Sequence, residues 1–189
     1  MMKKGYQRKH LRAPYKESML YADGPYVLRA QTLNLSEGGI LLNQLPSFPE
    51  TSRIPVMFSV PEIPALRNYN LLKLQVSPKD LFKRTVVRVK AELVRRDELS
   101  QNLDNIFRSR FGLKFVEVEP AALRLIGEYV ENYTANLTYL QTLIDSYETD
   151  EETRTRTRTL AAVLGYPPAL GPGELLSQVL KDYKSLQWL

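Results

Sequence analysis

Cysteine is absent from this 189-residue chain, which excludes disulfides, thiolate nucleophiles and thiolate metal sites together. Histidine occurs once, as His10, so no pair of imidazoles stands at the spacing a zinc or copper site needs. No apolar run approaches the roughly 20 residues required to span a bilayer. The opening "MMKKGYQRKHLRAP" carries a basic stretch with no apolar segment behind it, which is not the form of a secretory signal. Together these absences predict a cytoplasmic protein without membrane insertion.

Catalytic arrangements are equally sparse. A nucleophilic triad would need His10, Ser36 and an unassigned carboxylate, and no G-x-S-x-G surrounds any serine. No glycine-rich loop is followed by Lys and Ser or Thr, so nucleoside-triphosphate chemistry is not expected either. What survives is a binding module rather than an enzyme, with no metal or cofactor.

The charge is concentrated. The formal net charge is +5, and residues 1 to 20 hold Lys3, Lys4, Arg8, Lys9, Arg12 and Lys16 against Glu17 alone. The rest of the chain is therefore neutral overall. A uniformly basic surface would point to DNA or RNA, whereas charge confined to one arm points to a local anionic partner.

From Tyr15 to Val118 the residues favour short strands separated by segments rich in Pro, Gly, Asn and Asp. Strands are predicted at 17–22, 26–34, 39–43, 54–60, 70–77, 84–96 and 108–118. In "RFGLKFVEV", Phe111, Leu113 and Phe115 share one face while Arg110 and Lys114 share the other. Val87, Val89, Ala91 and Leu93 alternate likewise. These strand aromatics alternate with cations and read as core, which argues against an RNA-binding barrel with solvent-facing aromatics. The spacing implies a small antiparallel barrel or sandwich, with the two-proline stretch "VPEIPALRNYN" as a surface insertion.

After Val118 the period changes. Pro120 suits the first position of a helix, and Leu123, Ile126, Val130, Tyr133, Leu137, Leu140, Ile144 and Tyr147 follow at alternating spacings of three and four. That is a heptad seam, open to two readings: a homodimer through residues 123–147, or a fold-back onto the last helix. Counted to Glu148, the helix would be about 43 Å long. A second helix is predicted to about Leu164, started by a Thr149–Glu152 capping box and braced by Asp150–Arg154 and Glu152–Arg156 pairs. After "GYPPALGPG" a third, amphipathic helix begins, with Leu176, Val179, Leu180 and Tyr183 on one face.

Two short stretches remain unexplained by the fold. "RKHLRAP" packs cations into the arm, and Pro14 disfavours helical geometry at Ala13, so a turn should end there. "NLSEGGILL" sets Asn34 and Ser36 two apart, on one face of an extended strand, where they offer amide and hydroxyl groups. Gly38 and Gly39 permit a tight turn or a close backbone approach.

Together these stretches resemble the PilZ domain family, bacterial receptors for cyclic di-GMP. Arg8 and Arg12 match its R-x-x-x-R motif, and Asn34, Ser36 and Gly39 match its [D/N]-x-S-x-x-G motif, in the right order. "RFGLKF" looks like its last strand and Pro120 onward like its closing helix. The resemblance covers roughly residues 6 to 133.

It implies a mainly β fold with added α: a six- to seven-stranded antiparallel PilZ-like β-barrel, followed by a long helix and a helical C-terminal extension. The expected division is a basic arm over 1–14, the barrel with its closing helix over 15–133, and the extension over 134–189. The resemblance further implies cyclic di-GMP held outside the barrel by Arg8, Arg12, Asn34, Ser36 and Gly39, with no metal. Guanidinium forks suit both phosphate oxygens and guanine O6 and N7. Asn34 lacks the charge of the Asp the motif also accepts. Gln7 stands where a further arginine often precedes the motif, a position associated with how many dinucleotides bind. His10 reads as a spacer.

The expected function is a cyclic di-GMP effector that couples ligand binding to a change in how an unidentified downstream protein is met, in motility or exopolysaccharide regulation. The alternative is a PilZ-like adaptor that binds no nucleotide and acts by protein contacts through its extension.

Overall fold

The structure, a computed structural model, describes residues 9–45, 49–69, 82–96, 110–147 and 150–187. Among these, seven strands and three helices occur in chain order: β1 (Ala13–Pro14), β2 (Ser18–Asp23), β3 (Tyr26–Ser36), β4 (Gly39–Gln44), β5 (Arg53–Pro61), β6 (Arg84–Arg96), β7 (Phe111–Val116), α1 (Pro120–Asp145), α2 (Glu151–Val163) and α3 (Pro172–Gln187). The strand expected at 70–77 lies outside the described residues.

The strand order is β1-β3-β2-β5-β6-β7-β4, and a β3–β4 pairing closes the ring. Six antiparallel strands thus form a barrel, and β1 is added beside β3. Closure removes the exposed edges that an open sheet would have to protect. The chain forms two compact units. One comprises residues up to Phe58 with Val87–Ile126, and the other Ser59–Val86 with Gly127–Leu189.

In the first unit the alternation seen in the sequence fills the barrel. Phe111, Leu113 and Phe115 are buried along β7, as are Val87, Val89 and Ala91 along β6. Phe58 stacks on Phe115 with ring centroids 5.7 Å apart, and Tyr15 meets the Phe58 ring edge-on at 6.1 Å. Each such buried side chain contributes about 1.5–3 kcal/mol of transfer free energy.

Strand β3 does not keep one phase. The β3–β4 register passes from Thr32↔Leu42 to Asn34↔Leu41, so Leu33 is an extra residue on β3, a β-bulge. Upstream of it, Ala30 and Thr32 point into the barrel and are buried; downstream, Leu35 does. The bulge therefore turns the face of Asn34 and Ser36 outward, where the original alternation would have aimed them into the core.

In the second unit the seam of α1 is covered by its own chain. Val130, Tyr133, Leu137, Leu140 and Ile144 are all buried, which agrees with the fold-back reading and leaves these side chains without surface to offer a second copy. Leu123, at the start of the seam, is exposed. Helix α2 is capped by Asp150, whose carboxylate accepts the Thr153 N–H at 2.7 Å. The cap expected at Thr149 thus falls one residue later, where a charged acceptor complements the helix dipole. Glu152 pairs with Arg156 as expected at 2.6 Å, while Arg154 reaches Glu151 at 2.8 Å.

The stretch expected to be a surface insertion is instead built into this unit. Ile63 and Leu66 are buried, and Asn136 of α1 grips the loop from both ends of its amide. Its Oδ1 accepts the Leu66 N–H at 2.7 Å, and its Nδ2 donates to the Pro64 carbonyl at 2.9 Å. The prolines prevent ladder pairing, but they do not prevent two apolar residues three apart from anchoring a short 3-10 turn over Leu66–Asn68.

Candidate functional site

The end of the basic arm is fixed to the motif strand. Ala13 pairs with Leu35 and Pro14 with Asn34, and the Tyr15 N–H donates to the Leu33 carbonyl at 3.0 Å. Thr32 reinforces this junction from inside the barrel. Its hydroxyl accepts the Glu17 N–H at 3.0 Å and lies 2.6 Å and 2.7 Å from the Tyr15 and Glu17 carbonyl oxygens. Its single proton can serve one of those carbonyls at a time. Buried and bonded on several sides, Thr32 holds residues 15–17 across β3 much as a ladder pair would.

Arg12 immediately precedes this anchored segment, one residue before the Ala13–Leu35 pair. It is half-buried. The arm and the motif, 22 residues apart between Arg12 and Asn34 in sequence, are thus brought to one place. Arg8, the other arginine expected in the site, lies outside the described residues, as does Gln7.

The β3–β4 turn supplies the remaining groups. Ser36 is 4% exposed and donates its hydroxyl proton to the Gly39 carbonyl at 3.1 Å, which leaves its oxygen able to accept but not to donate elsewhere. The turn is docked on β7 by the Phe115 N–H, which donates to the Gly38 carbonyl at 3.1 Å. At Gly39 a Cβ would be driven into the Leu113 carbonyl oxygen, so the position requires glycine because β4 and β7 approach too closely for a side chain. Asn34 is half-buried, and its amide makes no hydrogen bond to any described residue.

The sheet register adds a residue that sequence reasoning missed. Ser36 pairs with Gly39, Gly39 with Lys114, and Lys114 with Glu92, which makes one row across β3, β4, β7 and β6. Lys114 is exposed and stands directly across from the bare backbone of Gly39. Alternation in "RFGLKF" signalled an outward Lys114; only strand pairing could place it beside the motif glycine. His10 was missed as well, since its imidazole is bonded to Glu37 in the turn at 2.9 Å.

The arrangement can accept and donate hydrogen bonds and attract an anion: Asn34 and Gly39 are half-buried, Ser36 is buried beside them, and Arg12 and Lys114 carry positive charge. Among the described residues no group of His, Asp and Glu side chains could hold a metal ion, and no helix is long and apolar enough to cross a membrane.

No curated protein matches the chain. Among solved structures, the inhibitor of motility MotI/DgrA from Bacillus subtilis is 13% identical with a TM-score of 0.47, the match covering 71% of this chain and 55% of that one. This chain therefore spans little more than half the length of that protein. The PilZ domain of YcgR from Escherichia coli, solved with c-di-GMP, is 16% identical with a TM-score of 0.41, covering 67% of this chain and 90% of that one. The family model for the PilZ domain matches residues 6–132, which takes in the anchored arm, the motif turn, the closed barrel and the first half of α1, and so the chain belongs to the PilZ domain family.

Proposed function

We propose that this protein is a cyclic di-GMP effector that binds the dinucleotide through Arg8, Arg12, Asn34, Ser36 and Gly39. The observation that supports the reading is the ladder of Ala13–Pro14 on Leu35 and Asn34, which ties the residue following Arg12 to the strand that carries Asn34 and Ser36. Each arginine supplies a planar fork for a phosphate or for guanine O6 and N7, a contact worth about 1–3 kcal/mol. Asn34 offers an amide that no described residue engages. Gly39, required by the close approach of β4 to β7, fixes the turn beside Asn34 and Ser36, and Lys114 adds a point charge at the rim.

Ligand capture would add contacts between the arm and the dinucleotide, and the liganded arm would present a new surface to a downstream protein. The protein would act in the cytoplasm as a binding partner, without catalysis and without a metal or other cofactor. The division of labour follows the expected segments: residues 1–14 as the responsive arm, 15–133 as the receptor and 134–189 as the extension through which a partner is met.

Titration calorimetry with cyclic di-GMP on the full chain tests this. Saturable binding is expected, weakened about 10- to 100-fold by Arg12→Ala and by Arg8→Ala, the loss of one bidentate contact each. Absence of heat at micromolar protein, or binding untouched by both substitutions, would reject the ligand. The adaptor reading, in which contacts run through the extension without nucleotide, would then stand.

A further inference from the structure

The chain's one histidine closes a second link between arm and turn. His10 Nδ1 lies 2.9 Å from Glu37 Oε2. An ionised carboxylate can only accept, so Nδ1 must carry the proton whether the ring is neutral or charged. The Cδ2 edge of the ring lies 3.1 Å from where a Cβ on Gly38 would stand. The imidazole thus rests on backbone that has no side chain to displace it.

By itself the pair is modest. The two side chains are 44% and 40% exposed, and exposed ion pairs contribute little to global stability. Its position gives it consequence. The arm is laddered to β3 from Ala13 onward, and His10 is fixed to the turn three residues earlier. Leu11 and Arg12 are the residues between these two fixed points. Arg12 is therefore held at both ends of a three-residue span, where the ladder alone would anchor the arm only from Ala13 onward.

We propose that His10 and Glu37 form a clasp that holds the arm against the β3–β4 turn in the ligand-free protein and so presents Arg12 to the incoming dinucleotide. This rests on the cyclic di-GMP reading and goes beyond it, since neither residue belongs to either motif. His10 is a positioning residue: it acts through Arg12 and need not touch the ligand. Part of the cost of ordering the arm is met before binding, which raises affinity without adding a ligand contact. The same link sets a limit on Glu37. Its carboxylate faces an anionic ligand, so its value lies in the bond to His10 and disappears when that ring is removed.

Two measurements on the full chain decide this. Ring nitrogen-15 shifts of the lone imidazole, read where it is neutral, should report the Nδ1–H tautomer in the native chain and lose it in Glu37→Ala, because the tautomer follows the hydrogen bond. Calorimetry with cyclic di-GMP should show His10→Ala weakening binding about 3- to 10-fold when Glu37 is present and hardly at all when Glu37 is already Ala, the coupling expected of an interacting pair. A tautomer unmoved by Glu37→Ala, native affinity in His10→Ala, or equal losses with and without Glu37 would each overturn the clasp while leaving the ligand in place. A native chain that binds no cyclic di-GMP would remove the ligand reading and the clasp's role with it.

Discussion

In the helical unit, Asn136 is 1% exposed and spends both ends of its amide on the Pro64–Leu66 loop. In the barrel, Asn34 is half-buried and bonds through its amide to no described residue. The contrast extends past these two residues. Thr157, fully buried, donates to the Thr153 carbonyl at 2.7 Å, and the Tyr166 hydroxyl donates to Asp182 at 2.8 Å. Burial, reinforced by Asp182, pushes the Tyr133 and Tyr166 hydroxyls well above the ordinary tyrosine range, so both stay protonated and available as donors. Polar groups in the helical unit complete the structure. On the motif edge of the barrel, some are held in reserve.

The sharpest test of that contrast is Asn136→Ala. It leaves the Leu66 N–H and the Pro64 carbonyl without partners and opens a void, so a loss of about 3 kcal/mol in urea denaturation is expected. A loss below 1 kcal/mol would mean that water replaces the amide, and the contrast between the two asparagines would dissolve. Gly39→Ala comes next. Although it stands in the proposed site, its methyl group must displace the Leu113 carbonyl, so destabilisation by about 1–3 kcal/mol is expected by the same denaturation. Native stability there would show that β4 can move away from β7. Asn34→Ala should be smallest in stability, within about 0.5 kcal/mol of native, while reducing cyclic di-GMP affinity in calorimetry. If it unfolds the barrel instead, its amide was never in reserve.

The sequence carried the strands well, because alternation reports burial directly. Phe111, Leu113 and Phe115 were assigned inward from spacing alone, and they are buried. Periodicity also found the seam of α1, yet it could not choose what covers it, since a heptad pattern describes one face and is silent about its partner. The "VPEIPALRNYN" stretch misled for a related reason. Prolines mark where a ladder stops, and nothing local revealed that Asn136, some 70 residues later, would reach Leu66. At the site, spacing placed Asn34 and Ser36 on a common face. The choice of face depended on the Leu33 bulge, which no propensity announces. His10 looked like a spacer because its partner Glu37 lies 27 residues away in sequence, and only the folded arm brings the two together.

That bulge gives β3 two reading frames. Ahead of Leu33 the even-numbered residues face the core, and behind it the odd-numbered ones do. The strand therefore tolerates a change in length at position 33 better than one between Asn34 and Ser36, where a lost or added residue would put the pair on opposite faces. Removing Leu33 would take out the extra residue, so one alternation would run from Thr32 to Ser36 with Leu35 still inward and Asn34 and Ser36 still on the opposite face. A barrel with one residue fewer at that point would carry Asn34 and Ser36 on the same face, so the spacing from arm to motif need not be constant for the pair to keep its place.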